Sequence, residues 1–250
     1  MNNRNTITKS IVRGIAAISL LACSHAGFAQ AIPDYVQAAV ASSERSPEMT
    51  ARDVNRKPAE LLVLSGVKPG DTVVEFGGFG QYFTTLLSSV VGASGKVMVY
   101  DLPYTERFAG EPSRAFDTAH DNSTYELVDY NTMTLPSGVD AVFNVLYYHD
   151  LPLNQIDTAA LNKKIFDALK PGGVFFIVDH NAEAGSGTRD VEKLHRIDPA
   201  VIREEVQAAG FVLAEASDLL ANPDDDHTQM VFTDGTRGHT DQSVFKFVKP

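Results

Sequence analysis

Val73-Val-Glu-Phe-Gly-Gly-Phe-Gly-Gln81 and, further along, Lys96-Val-Met-Val-Tyr-Asp101 are the two stretches that decide the predicted fold. Each stretch contains a short apolar strand with an acid near its end, and small residues follow the first of these strands. Small residues after a strand allow a tight turn that exposes backbone N–H groups at a helix start. An acid ending the next parallel strand lies where a carboxylate can reach a ribose. The pair therefore predicts a nucleotide-binding strand–turn–helix–strand unit.

Further apolar runs extend this pattern along the chain. Leu169-Lys-Pro-Gly-Gly173 precedes Val174-Phe-Phe-Ile-Val178, which ends at Asp179-His180. Short apolar runs are typical of strands that are buried on both faces. We predict strands at 72–76, 97–100, 125–128, 141–146 and 174–178, and a turn at 66–70. We predict helices at 33–46, 47–65 with a break near residue 58, 81–91, 111–120, 155–169 and 199–209.

Together these motifs resemble class I S-adenosylmethionine-dependent methyltransferases, and more closely a group of exported bacterial proteins described as predicted methyltransferases. The resemblance runs from about residue 52 to residue 250. It implies an α/β, Rossmann-like fold with a mostly parallel seven-stranded sheet and helices on both faces. Strands at 212–215 and 244–248 would close that sheet as an antiparallel pair. It also implies S-adenosyl-L-methionine as cofactor and a small molecule as methyl acceptor.

The same resemblance implies which residues approach the cofactor. The acid and glycines of the first stretch would approach its methionine part, Asp101 would hold its ribose, and Asp129 would contact its adenine amino group. The first group comprises Glu75, Gly77, Gly78 and Gly80. The usual pattern is acid-x-Gly-x-Gly-x-Gly, whereas this chain has Phe79 and Gln81 at the second and third glycine positions. Two interpretations follow, namely a working cofactor site and a decayed site on a retained fold.

Two histidines follow predicted strands at the edge where ligands of α/β sheets bind. His149 comes after the fourth strand and His180 after the fifth. Imidazole both takes and gives a proton near neutral pH, so either residue is a candidate catalytic base. His149 also fits an ordinary loop start, and Asp129 with the residues after it fits a turn.

The edge after the fifth strand also collects further polar residues, among them Asp179, His195, Arg196 and Asp198. Imidazole and carboxylate groups bind divalent metals, and a metal-dependent hydrolase is one alternative function. The spacing matches no compact ligand motif, so no metal ligand is assigned. Asp198 before Pro199 is instead typical of a helix N-cap. The acidic run 224–226 is expected to be solvated.

The amino terminus predicts export. Arg4, Lys9 and Arg13 precede an apolar stretch at 14–22 that is too short to span a bilayer, and Ala29 and Ala31 stand at cleavage spacing. We predict a signal peptide at 1–31 and a periplasmic, single methyltransferase-like domain at 32–250. Leu20-Leu-Ala-Cys23 offers an alternative, a lipid-modified cysteine.

Charge and length bound the partners. Net charge is −11, and removal of the three basic residues of the signal makes it −14. Such an acidic chain disfavours nucleic acid and anionic membrane surfaces. Residues 32–250 are enough for one α/β core, and they contain no cysteine. A non-catalytic binding protein that retains the fold is a further alternative function. The oligomeric state has no signal in the sequence.

Overall fold

A computed structural model of the chain describes Met1 and residues 31–250, and its centre is a seven-stranded sheet. The strands are β1 (Thr72–Phe76), β2 (Lys96–Asp101), β3 (Ser123–Leu127), β4 (Val139–Val145), β5 (Leu169–His180), β6 (Val212–Ser217) and β7 (Gln242–Val248). Their order is β3-β2-β1-β4-β5-β7-β6, and only β7 runs antiparallel to its neighbours. The predicted mostly parallel sheet is confirmed, including the closing antiparallel pair.

The inner strands are apolar because helices cover both faces of the sheet. Alternate residues of β1 point to opposite faces, so Val74 and Phe76 pack in one hydrophobic cluster and Val73 in another. All three side chains are buried. In register, Val73 and Val74 pair with Val97 and Met98 of β2, which brings the ends of β1 and β2 to the same edge.

Ten α-helices surround this sheet in the described residues. They are α1 (Asp34–Val40), α2 (Pro47–Thr50), α3 (Asp53–Arg56), α4 (Pro58–Ser65), α5 (Tyr82–Val91), α6 (Glu111–Ala119), α7 (Asp150–Leu153), α8 (Thr158–Ala168), α9 (Val191–Leu194) and α10 (Pro199–Ala208). A 3-10 turn (Pro103–Thr105) and a π-helical turn (Glu106–Gly110) precede α6. No helix among the described residues is long and apolar enough to cross a membrane.

Three helix predictions were wrong in extent. The helix predicted at 47–65 with one break near residue 58 is divided into α2, α3 and α4, with a further break at 51–52. The helix predicted at 33–46 ends at Val40, where the Arg45 guanidinium donates to the Val40 carbonyl at 2.7 Å and so satisfies a helix-end acceptor. The helix predicted at 155–169 begins at Thr158, because Asp157 caps it by accepting from the Ala160 N–H at 2.9 Å.

Capping by Asp198 was predicted correctly. Its carboxylate accepts from the Ala200 N–H at 2.9 Å, and Pro199 is the first residue of α10. The expectation that the whole acidic run 224–226 is solvated was wrong for Asp225. That carboxylate forms a two-oxygen ion pair with the fully buried Arg196, and it also accepts from the Asp241 N–H.

Residues 2–30 lie outside the described residues. The signal peptide, its cleavage sites and the lipidation alternative at Cys23 therefore stay predictions. Residues Ile32–Pro250 form one compact unit.

Candidate functional site

A cleft of about 550 Å³ opens where β1 and β4 end. Glu75, Gly77 and Gly78 border it from the end of β1 and the loop that follows. His149 borders it from beyond β4, and His180 borders it from the last position of β5. The carboxyl ends of parallel strands are where open α/β sheets bind their ligands. A cleft of this size is typical of small-molecule sites.

The loop after β1 needs glycine at three positions for different reasons. Gly77 has φ +72°, and a Cβ there would lie 2.4 Å from the Tyr147 ring. Gly78 lies so close to Val99 that a Cβ would be 2.5 Å from its Cγ1. Gly80 has φ +89° with open space around it, so only its backbone conformation requires glycine.

The two departures from the usual glycine spacing differ structurally. Phe79 has no positive φ, and its ring packs edge-on against Phe108 and Tyr147, with centroids 5.7 and 5.5 Å away. Its side chain forms part of the cleft wall. Gln81 has φ +52°, a left-handed conformation that favours glycine, and its side-chain amide donates to the Ser113 hydroxyl at 3.1 Å.

Glu75 is a buried acid at the edge of the cleft, with 4% of its surface exposed. The Thr84 hydroxyl donates to its Oε2 at 2.7 Å. Burial raises the pKa of Glu75 to about 8, and the nearby Asp101 adds to that rise while the Thr84 hydrogen bond opposes it. At neutral pH the Glu75 carboxyl is therefore mostly protonated. A cation bound beside it would favour its ionised form.

Asp101 is fully buried behind the glycine loop, and it is not one of the described residues that line the cleft. Its Oδ1 accepts from the Gly78 N–H at 2.9 Å, whereas its Oδ2 is buried without a hydrogen-bond partner in the described part of the chain. Burial raises the pKa of Asp101 to about 6, although the Gly78 N–H, the Tyr125 hydroxyl and the Gly77 N–H oppose that rise. An unsatisfied buried acceptor of this kind favours a donor that arrives with a ligand.

Asp129 lies apart from the cleft lining and is exposed. Its carboxylate accepts from the Asn131 N–H at 2.9 Å, two residues on, which is a local turn. The structure thus shows the turn that the sequence offered as an alternative. The adenine contact assigned to Asp129 stays a prediction.

His149 and Asp179 form a buried pair. The Nδ1 of His149 lies 2.7 Å from one Asp179 oxygen, and the His149 backbone N–H donates to the other at 2.7 Å. Burial alone would lower the pKa of this imidazole, but the Asp179 charge and hydrogen bond raise it above its ordinary value. The carboxylate also fixes the ring orientation.

His180 lies beside His149, with ring centroids 5.9 Å apart, so the two candidate bases do come together. Its Nδ1 lies 2.7 Å from the Thr240 hydroxyl. Burial holds the pKa of His180 well below its ordinary value, and the neighbouring His149 and Arg196 add to this. His180 is therefore a neutral imidazole at the cleft.

Sequence reasoning missed the basic wall of the cleft. Arg52, Asn55 and Arg56 border it from α3 and its N-cap, and Arg237 borders it from the loop before β7. Arg56 and Arg52 lie over the Tyr82 ring, at 4.7 and 5.2 Å. Burial lowers the pKa of Arg56 to about 10, and Arg52 contributes to that shift.

These guanidiniums make no ion pair within the described residues, unlike Arg45 and Arg196, which pair with carboxylates. Unpaired cations beside a cleft favour an anionic ligand group. A signal existed in the sequence, because Arg52 and Arg56 stand four residues apart on one helix face just before the first strand of an acidic chain.

Solved structures identify the fold. A SAM-dependent methyltransferase from Aquifex aeolicus is 18% identical, with a TM-score of 0.58 over 81% of this chain and 94% of that one. A putative sarcosine dimethylglycine methyltransferase from Galdieria sulphuraria is 16% identical, with a TM-score of 0.58 over 88% and 91%. The cyclase SpnF is 15% identical, with a TM-score of 0.56 over 84% of each chain.

These structural likenesses show that the chain has the Rossmann-like fold of class I methyltransferases, as predicted. No protein-family model and no curated protein sequence matches this chain. Identities below one fifth show the fold alone, and the cyclase shows that this fold also supports other reactions.

Proposed function

We propose that this protein binds S-adenosyl-L-methionine in the cleft and transfers its methyl group to a small-molecule acceptor. The observation that carries the proposal is the buried acid Glu75 beside a glycine turn, at the edge of a cleft of sufficient volume and at the end of β1. The fold and its neighbours support this type of reaction in general. The acceptor is a matter for experiment.

The residues of the cleft fit the polar groups of this cofactor. Its methionine part bears an ammonium group, for which the Glu75 carboxyl is a partner, and a carboxylate, for which Arg52 and Arg56 are partners. Gly77 and Gly78 border the cleft, and Tyr147 and Val99 occupy the space that a Cβ at these positions would need. Gly80 keeps the turn in the conformation that its positive φ requires.

Asp101 fits the ribose hydroxyls. One of its oxygens is satisfied by Gly78, and the other is buried without a partner among the described residues. Because a buried acceptor without a hydrogen bond is costly, a hydroxyl donor at this oxygen would be stabilised. Asp101 and Asp129 both lie outside the cleft lining, so the ribose and adenine contacts that we assign to them rest on the resemblance.

The cofactor, when bound, supplies an electrophilic sulfonium methyl group. The protein's task is then mainly to bind the acceptor in line with that methyl and to exclude water. Both candidate bases, His149 and His180, border the cleft. Where the acceptor is a hydroxyl, His149 is the better proton acceptor, because Asp179 raises its pKa whereas burial holds the pKa of His180 well below its ordinary value. Asp179 orients His149 for this role through its two hydrogen bonds.

Export is part of the proposal. We place the protein in the periplasm, as a chain cleaved after residue 31, and lipidation at Cys23 is the alternative. The strongly acidic surface of residues 32–250 supports a small-molecule acceptor rather than nucleic acid, whose phosphates need neutralising cations.

Calorimetric titration of the 32–250 chain with S-adenosyl-L-methionine tests the proposal. We expect one site per chain, and we expect Asp101→Ala to weaken binding by about 1.5 to 3 kcal/mol, the value of a hydrogen bond to a charged group. Asp167→Ala is the matched control, because Asp167 is exposed and bonds only to Lys163. Unchanged affinity in folded Asp101→Ala would show that the ribose site is misplaced.

A further inference from the structure

Three potential metal ligands converge beside the cleft, although they come from separate parts of the chain. His149 and Asp150 follow β4, whereas His195 ends the short helix α9. One nitrogen of each imidazole and one oxygen of the carboxylate all lie within 4.8 Å of one another. No spacing rule reveals this, because 45 residues separate Asp150 from His195.

The distances match the edges of a metal coordination polyhedron. His149 Nε2 lies 3.4 Å from Asp150 Oδ1, and His195 Nδ1 lies 3.5 Å from the same oxygen. With bonds of about 2.0 to 2.1 Å, two ligands of a tetrahedral ion stand about 3.3 to 3.4 Å apart. Two of the three separations thus match the spacing that one ion requires, and the third, between the two imidazoles, is within 4.8 Å.

The three groups are not joined to one another by hydrogen bonds among the described residues. When His149 is neutral and donates from Nδ1 to Asp179, its Nε2 lone pair faces the Asp150 oxygen, and when it is protonated it forms an ion pair with that carboxylate. His195 Nδ1 is buried and has no hydrogen-bond partner among the described residues. Lone pairs that face one another in a buried place are unfavourable unless a proton or a cation lies between them.

The surroundings hold these ligands in position. Asp179 behind His149 forms the carboxylate–histidine arrangement that commonly orients metal ligands. The His195 ring packs edge-on against His149, with centroids 5.4 Å apart, and at a tilt of 56° against Phe232, with centroids 5.0 Å apart. His195 also keeps a left-handed φ of +53°, which is uncommon for a residue other than glycine.

We propose that His149, Asp150 and His195 bind one divalent cation of the nitrogen-preferring type, such as zinc, at the wall of the cleft. Two imidazoles and one carboxylate favour such ions over magnesium or calcium, which prefer oxygen ligands. Three protein ligands leave at least one position open, as in catalytic rather than structural zinc sites. Because His149 and Asp150 border the cleft, that position faces it.

The cation would bind an oxygen of the methyl acceptor and lower its pKa, a consequence that rests on the proposed methyl transfer. His149 Nε2 would then be a ligand, and the proton of the acceptor would pass to solvent in the cleft, because burial holds the pKa of His180 well below its ordinary value. The acceptor class is accordingly a small molecule with a hydroxyl that can coordinate the ion. Metal binding itself does not depend on this assignment.

The experiment uses the 32–250 chain, stripped with a chelator and titrated separately with zinc and with cobalt(II). We expect one ion per chain and the intense visible absorption of four-coordinate cobalt. His195→Gln should weaken zinc binding at least about tenfold, and Asp179→Asn about tenfold or more through the outer contact. His120→Gln is the matched control, because within the described part of the chain the imidazole of His120 contacts the Phe116 carbonyl and Glu44 and none of the proposed ligands.

His195 is the variant of choice, since its side chain is 27% exposed and its loss leaves the core intact. No zinc binding by the folded wild-type chain, or equal affinity in His195→Gln and wild type, would overturn the metal site. Titration with S-adenosyl-L-methionine of the same stripped protein separates the two proposals. Zinc binding without cofactor binding retains the site and rejects methyl transfer, whereas cofactor binding without zinc binding does the opposite.

Discussion

Single residues decide whether this cleft is a working site. Phe79 and Gln81 replace two glycines of the usual pattern, but only Gln81 occupies a conformation that favours glycine. Phe79 instead supplies a cleft wall through its contacts with Phe108 and Tyr147. The loop retains glycine at 77 and 78, the two positions where a Cβ would collide with Tyr147 and Val99.

Glu75 predicts a specific pH dependence of stability. Its pKa is about 8 in the folded chain and 4.5 as the ordinary value. Below pH 4.5 it is protonated in both states, and between 4.5 and 8 it ionises only on unfolding. The free energy of unfolding therefore loses this contribution as pH rises from about 4.5 to 8, and the loss is complete above the folded pKa.

Denaturant unfolding at several pH values checks this. Relative to Glu75→Gln, wild type should lose roughly 3 to 5 kcal/mol between pH 5 and pH 9, as expected for a buried acid with such a shift. Glu192→Gln is the control, because Glu192 is exposed, and its difference from wild type should stay nearly constant. A pH-independent difference for Glu75→Gln would mean that the carboxyl is not desolvated.

Prediction from sequence was uneven at this scale. Glu75, the glycines and the two histidines lie at one edge because parallel strands bring their carboxyl ends together, and the strand pattern was readable. The burial of Asp101 and the convergence of His149, Asp150 and His195 were not readable. They depend on how loops fold over the sheet, which local spacing does not specify.

Among the elements, the loop between β6 and β7 depends on one buried ion pair. Arg196 is fully buried, pairs with both oxygens of Asp225, and donates to the backbone carbonyls of Asn181 and Gln229. This pair fastens the loop that carries Phe232 to the chain around His195. The sequence shows an acidic run at 224–226, but Arg196, the partner of Asp225, lies 29 residues earlier in the chain.

Removing one partner of this pair should be costly, because the other charge is left buried. We expect Arg196→Gln to lower the free energy of unfolding by about 3 to 5 kcal/mol. The control is Arg189→Gln, whose exposed side chain pairs with Glu183 and Asp190 and should change stability by less than about 1 kcal/mol. Equal effects of the two substitutions in denaturant unfolding would refute the role of the buried pair.

Elements were predicted best where burial alone sets them. All seven strands were predicted within a few residues, apart from β5, which begins five residues earlier because Leu169 pairs with Val139 before a register shift. Helix ends were predicted poorly where side chains set them, as with Arg45 after α1 and Asp157 before α8. Such contacts form only once the chain is folded.

For the whole molecule, location is the first matter to test. The small residues at 27–31 predict that protein recovered from its native host begins at Ile32 or Gln30. Mass spectrometry of the intact chain measures this. An acylated Cys23 at the amino terminus would favour lipidation over simple cleavage, and a chain that retains its first residues would reject export.

The central claim is that the cleft of this fold binds S-adenosyl-L-methionine, and equilibrium dialysis against labelled cofactor tests it most directly. We expect the wild-type 32–250 chain to bind one molecule, and Phe79→Gly to change the affinity little, because the Phe79 ring forms a wall rather than a plug. No binding to wild type at millimolar cofactor, with binding restored in Phe79→Gly together with Gln81→Gly, would instead show a decayed site and contradict the account.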